Sequence, residues 1–91
     1  MVTFCVKMYC NDLECVRRMH AQLMGFDTAK AMHVCKSRAI DGHVEWICDA
    51  MPEFLTYLSK YLDDYKGMFK IDELHPASGE VLETIYIKKI M

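Results

Sequence analysis

Cys5, His33, Cys35, His43 and Glu45 are the residues of this chain whose types and spacing come nearest to chemistry. His33-x-Cys35 and His43-x-Glu45 are spaced two apart, and on a β-strand that spacing turns both members of a pair to one face. Thiol, imidazole and carboxylate donors gathered there would make a ligand set for zinc or another transition metal. A polar outer sheet face produces the same letters, so the group is a candidate and not a signature. Cys10 is a second candidate, because it precedes a helix start where amide dipoles favour thiolate. As a nucleophile it would need His33 or His43 brought beside it as a base. Cys10 and Cys15 also suit an apolar clasp across the helix start. His20 falls on a helix stripe and His75 precedes Pro76, places that fit a boundary side chain and a turn. No specific catalytic motif is present, and the expectation is a protein without enzymatic activity or a cofactor.

Groups of this kind must be held on a sheet. Residues 2–9 alternate, with Val2, Phe4, Val6 and Met8 on one face. Asn11 reads as an N-cap in a capping box with Glu14. The helix it opens is expected to run to about Met24, with Leu13, Val16, His20 and Leu23 inward, and to close at Gly25 with Phe26 folding back. Residues 31–39 and 43–48 read as strands joined around Asp41-Gly42. A two-residue turn there pairs Arg38 with Glu45 and turns Val34 outward. A three-residue loop bulged at Gly42 groups Val34, Val44, Trp46 and Cys48 inward, and is favoured because it buries the more apolar set.

Residues 51–65 carry Met51, Phe54, Leu55, Leu58, Tyr61, Leu62 and Tyr65 at helical spacing, the strongest periodic signal in the chain. Asp49 is the expected cap, Pro52 lies in the first turn and Gly67 closes the helix. Residues 68–74 and 81–88 read as strands around a turn at 75–79. The order β-α-β-β-α-β-β predicts one α+β domain over residues 1–91, a ferredoxin-like sandwich. One antiparallel sheet would carry two helices on one face, leave the other face open, and be extended at an edge by the last strand.

At 91 residues and 53% hydrophobic composition the chain can bury a core without staples. A net charge of −2 lacks the basic footprint of a nucleic-acid binder. Five cysteines with no C-x-x-C pair indicate neither a disulfide framework nor a zinc module, and no apolar run approaches a membrane span. A reducing, cytoplasmic setting is expected. Charge is segregated: from Asp49 to Glu83 there are eight acids against three bases. Asp63 and Asp64 fall in the last turn of a helix, where they oppose its dipole by ~0.3–1 kcal/mol, and such local violations are places to look for function.

These features point to a non-enzymatic protein–protein interaction module: a small inhibitor, adaptor or regulatory subunit, as a monomer or homodimer. It would meet a protein partner, basic in character, through an acidic flank at Asp63, Asp64, Asp72 and Glu73 or through the open sheet face. Tyr57 and Tyr65 would serve as aromatic anchors. The rival expectation is a small-molecule or metal-binding domain, enzymatic or not, working through His33, Cys35, His43 and Glu45 on the open face. RNA binding comes third.

Two partial resemblances bear on these alternatives. The run Gly42-His43-Val44-Glu45-Trp46-Ile47 is similar to the glycine-led third strand of RNA-recognition motifs, which implies base stacking on the open face. It lacks the preceding basic residue and the Phe/Tyr pair. Residues 7–26, with Asn11-Asp12-Leu13 opening the helix and Leu23-Met24-Gly25-Phe26 ending it, resemble the first module of the vicinal-oxygen-chelate family. That likeness implies a β-α-β-β-β module around a metal or ligand cavity. Its first strand offers no metal-binding His, and a second helix at Met51 departs from the pattern.

Overall fold

Alternation along β1 (Val2–Met8) organises the molecule: Phe4, Val6 and Met8 are buried on one face, and Thr3, Cys5 and Lys7 occupy the other. The computed structural model describes residues 1–10 and 12–89. β1 pairs antiparallel with β3 (His43–Ala50) on one side and β4 (Phe69–Leu74) on the other. β2 (Met32–Ile40) lies outside β3 and β5 (Val81–Lys88) outside β4. Among the described residues the fold is α+β, with one open antiparallel sheet of five strands in the order β2-β3-β1-β4-β5 and two helices. A helix between β3 and β4 excludes the β-α-β-β-β module that residues 7–26 suggested.

Pairing aligns the apolar sets. Val6 faces Trp46 and Ile71, and Met8 faces Val44 and Phe69, so each inward row crosses three strands. Met19 and Leu23 of α1 (Leu13–Thr28) and Leu58 and Leu62 of α2 (Pro52–Asp64) join the same buried cluster, so both helices cover one face. Full burial of such a side chain contributes about 1.5–3 kcal/mol.

α1 departs from its expected limits at both ends. Its N-cap is Asp12, whose Oδ1 accepts the Glu14 N–H at 2.9 Å; Asn11 lies outside the described residues. The helix continues through Gly25 to Thr28 because Phe26 is an inward residue, packed edge-on against Phe54 and Tyr61 at 5.3 and 5.4 Å. That contact outweighs the ~1 kcal/mol cost of a helical glycine. Lys30, at φ 62, is the residue that breaks the helical path. The inward stripe is Val16, Met19, Leu23 and Phe26, while Leu13 is 61% exposed and His20 is at the surface, accepting the Trp46 Nε1–H at 3.0 Å.

The β2–β3 hairpin resolves its register in a way that neither expected alternative contains. Ile40 pairs with His43 across a two-residue turn with Gly42 at φ 87, and Arg38 pairs with Glu45. The bulge is not at Gly42 but between Val34 and Lys36. Displacing Cys35 restores the phase, so Val34 faces Cys48 and still packs on the core. Favouring the Gly42 bulge was therefore wrong about its position but right about which residues are inward.

Asp49 does not cap α2. β3 continues through it, and its carboxylate accepts from Thr3 Oγ1 at 2.7 Å and Cys35 Sγ at 3.3 Å. Met51 occupies the N-cap without a side-chain bond, and Pro52 starts the helix. At the other end, Lys88 of β5 donates from Nζ to the carbonyls of Leu62 (3.0 Å), Asp63 (2.9 Å) and Tyr65. Tyr86 donates its hydroxyl to Asp63 Oδ1 at 2.6 Å. An ammonium from another strand thus supplies the positive charge that the helix's own last turn lacks.

Candidate functional site

The sheet face away from the helices carries the chain's polar chemistry. Odd-numbered residues of β1 and β3 and even-numbered residues of β4 point there, giving Thr3, Cys5 and Lys7, then His43, Glu45, Ile47 and Asp49, then Lys70 and Asp72. Two carboxylates in this row are buried: Glu45 is 4% exposed and Asp72 1%. A buried carboxylate is tolerated only when paired and hydrogen-bonded, and both are. Asp72 Oδ1 accepts Thr84 Oγ1 at 2.7 Å, Oδ2 lies 3.0 Å from Lys7 Nζ, and Lys70 Nζ is 3.8 Å away. Burial alone would raise the Asp72 carboxyl, but Thr84 and Lys7 outweigh it and hold it below its ordinary value.

Glu45 is the hub of the second cluster. Its Oε2 accepts the Cys5 thiol at 2.9 Å and its Oε1 accepts Arg38 Nε at 2.9 Å. Burial opposes ionisation here too, yet the bonds from Cys5 and Arg38 keep the carboxyl below its ordinary range. The same pairing acts in reverse on Cys5: burial first, and the Glu45 carboxylate second, push the thiol up to about 12. Cys5 is therefore a hydrogen-bond donor at neutral pH and not a thiolate nucleophile. His43 stacks on Tyr9 at 5.2 Å between ring centres, with Nε2 3.9 Å from Glu45 Oε1. That is too long for a hydrogen bond, and among the described residues this buried nitrogen has no partner.

A cleft of about 220 Å³ opens over this cluster. It is lined by Arg38 and Ile40 from β2 and also by Gly79 and Val81 at the far side of the sheet, so the β4–β5 hairpin bends over the open face. His75 shapes that hairpin, accepting the N–H groups of Ala77 and Ser78 on its Nδ1 at 3.1 and 3.3 Å.

The metal candidates separate into two groups. Glu45 and His43 lie at the hairpin end, with Cys5 bonded to Glu45. His33 pairs with Asp49, six residues and about 20 Å along β3 from His43. His33 Nδ1 lies 3.4 Å from Asp27 Oδ2, and Cys35 is bonded to Asp49 with its thiol pushed up to about 11 by burial and that carboxylate. Among the described residues no three His, Cys, Asp or Glu side chains converge as a metal set. The rings of Tyr9 and His43 meet each other at the end of β1 and β3, and the described central open-face positions Cys5, Lys7, Glu45 and Ile47 carry no aromatic side chain.

The acidic flank is dispersed. Asp72 is on the open face and buried; Asp63 accepts from Tyr86 at the base of α2; Asp64 is exposed beside Tyr65, Lys66 and Gly67 in a groove of about 800 Å³ between the helices; Glu73 points to the helix side, opposite Phe4. The charges of that larger groove, Asp12, Arg18, Asp64 and Lys66, are all at the surface. Tyr65 is half-buried between Tyr61 and Phe69. Tyr57 is 54% exposed and rests on Phe54 and the edge of Phe26, at 5.6 and 6.0 Å.

Sequence reasoning singled out Glu45, Cys5 and His43 and paired Arg38 with Glu45 in the two-residue-turn register it did not favour, but missed Lys7 and Thr84 as the partners of Asp72. The signal for Lys7 was its odd position on β1 beside Cys5; for Thr84 a bulged register hides it. Comparison with known proteins finds no relative: no family, no curated protein and no solved structure matches this chain. No described helix is long and apolar enough to cross a membrane.

Proposed function

We propose that this chain is a protein-binding module, an adaptor, inhibitor or regulatory subunit built on a ferredoxin-like frame. The frame is supported by β1 lying between β3 and β4 with β2 outermost; β5 outside β4 is an addition to that pattern. The observation that carries the binding reading is Tyr57. Its ring is half-exposed yet held against Phe54 and Phe26, Phe26 in turn packs on Tyr61, and Met51 at the N-cap of the same helix is also 54% exposed. An aromatic side chain already ordered in the free protein loses little entropy on docking, and Tyr, Phe and Met are the types enriched at interface centres. The acidic residues are weaker candidates, because Asp72 is buried and Asp63 already has a partner.

The test is native mass spectrometry of the protein isolated from its own host, wild type beside Tyr57→Asp. The wild type should carry a partner, or a second copy, at fixed stoichiometry. Loss of an anchoring aromatic costs about 2 kcal/mol or more, so the variant should lose the assembly by about thirtyfold in affinity while remaining folded by circular dichroism. A wild type that is monomeric and bare, or a variant that keeps its partner, refutes the reading.

A further inference from the structure

We infer that the outer edge of β2 is a docking strand for an extended acidic peptide of a partner protein, which pairs with it antiparallel beside α1, independently of any contact at Tyr57. β2 is the outermost strand on its side of the sheet. Beyond the bulge at Cys35, residues 36–40 run in unbroken register with β3, and all five are exposed. Hydrogen bonding alternates along an antiparallel ladder, so every second residue of an edge strand turns its N–H and C=O outward. The two-residue turn directs those groups of Ile40 at His43, which makes Ser37 and Ala39 the outward residues. Such a row is a template for one more strand.

What stands beside each position sets the sequence of the incoming strand. Ser37 and Ala39 pair with Trp46 and Val44 on the helix side, where a groove of about 350 Å³ runs between this edge and α1. Val16, Val44 and the short Ser37 and Ala39 line it, leaving room for aliphatic side chains two residues apart. Its ionisable lining residues, Arg17, His20 and Arg38, are all bases. Lys36 and Arg38 pair with Ile47 and Glu45 on the other face. Arg17 and Arg38 already meet Glu14 and Glu45, at 3.8 and 2.9 Å, whereas Lys36 forms no ion pair among the described residues. Charge selection therefore rests on Lys36, and residues laid opposite it and Arg38 should be acidic, since like charges across a strand pair repel. The segment that fits alternates acidic and aliphatic residues. A second copy of this chain does not: pairing the edge with itself sets Lys36 opposite Arg38, or Arg38 opposite Arg38. β5, the strand at the other edge, is interrupted by two register shifts.

The probe is the capped heptapeptide Thr-Glu-Val-Glu-Val-Glu-Thr, titrated into the whole chain at low salt and followed by amide NMR. Saturable shifts should fall on residues 36–40 and 16–20. The Ser37 and Ala39 amides should exchange freely in the bare protein and become protected in the complex. The lysine counterpart, Thr-Lys-Val-Lys-Val-Lys-Thr, should bind about tenfold more weakly. N-methylation of the valine amides, which face β2, should cost about tenfold, and N-methylation of the glutamate amides, which face solvent, much less. Lys36→Glu should weaken the acidic peptide by about fivefold and strengthen the lysine one. Tyr57→Asp should bind the acidic peptide as the wild type does, so this edge and the Tyr57 face stand or fall separately. Slow exchange of Ser37 and Ala39 in the bare protein, absence of saturation, or equal binding of the two peptides overturns the assignment. So does an unchanged affinity in Lys36→Glu, or indifference to which amides carry the methyl group.

Discussion

Replacing Lys88 by methionine keeps the unbranched stem and removes only the ammonium, so it isolates what that charge does for α2. In the wild type one Nζ serves the carbonyls of Leu62, Asp63 and Tyr65, with the Asp63 and Asp64 carboxylates close by in sequence. A charge-assisted bond contributes about 1.5–3 kcal/mol, and a cation at a helix C-terminus about 0.3–1 kcal/mol. The three bonds share one charge and the site is half-exposed, so water recovers part of the loss, and the terms do not add. A net cost of about 2 kcal/mol follows. For a domain of this size that lowers the melting temperature by roughly 8–16 °C. Urea unfolding read by Trp46 fluorescence and far-ultraviolet circular dichroism gives the free energy, and an unchanged slope would show that the unfolded ensemble is the same. Amide exchange in the last turn of α2 should rise most. Lys88→Arg, which keeps charge and donors, should lie between the two. A Lys88→Met protein within about 0.5 kcal/mol of wild type would show that solvent satisfies these carbonyls equally well.

Gly25→Ala should raise stability by about 0.5–1 kcal/mol in the same unfolding assay, because Gly25 is inside α1 with open space around its α-carbon. A destabilised protein would mean that the helix ends at Gly25 after all. Gly67→Ala should do the opposite by more than about 1 kcal/mol, since φ is 141 and a β-carbon would sit 3.1 Å from the Phe69 ring. Asp72→Asn should reduce stability at pH 7 and flatten the acid limb of the stability profile. The folded Asp72 carboxyl is held below its ordinary value by Thr84 and Lys7 against the effect of burial. Its contribution is therefore present above the unfolded value near pH 4 and is lost as pH falls through the folded one. Equal acid profiles for the two proteins would remove Asp72 from the account.

The periodic parts of the fold were legible in the sequence. Even positions of β1 and the stripe of α2 mark buried faces because burial repeats with the backbone period, and Pro52 marks a helix start because its ring suits the first turn. What was not legible depends on contacts distant in sequence. Gly25 looks like a stop until Phe26 is seen to pack against α2. Asp49 looks like a cap until Thr3 and Cys35 are seen to claim its carboxylate. Asp63 and Asp64 look misplaced until Lys88, more than twenty residues further on, is brought to the end of their helix. The hairpin register failed for a related reason. Burial of Val34 demands a phase shift somewhere in the hairpin, but local sequence does not say whether the turn or the strand supplies it. Of the candidate site, residue types at Cys5, His43 and Glu45 were readable on alternation alone. Arg38 beside Glu45 was readable in one of the two hairpin registers, whereas Lys7 and Thr84 were not readable as partners of Asp72, since they come from the strands on either side of it.

The position of β1 governs the order in which this sheet is assembled. Among the described residues it precedes the other four strands in sequence and is the middle one in the sheet, pairing Val2 with Ala50 and Thr3 with Leu74. As the chain is synthesised, β1 has no strand to meet until β3 has formed, and one of its edges stays unpaired until β4 follows. Among the described residues the β2–β3 hairpin is the strand pair closed by a two-residue turn, so it can form early and wait. An apolar row of Phe4, Val6 and Met8 must therefore stay out of other associations until the residues of β3 and β4 have followed. Slow elongation over α2, or a chaperone that holds the first strand, would change the yield of native protein without touching any contact in the finished sheet.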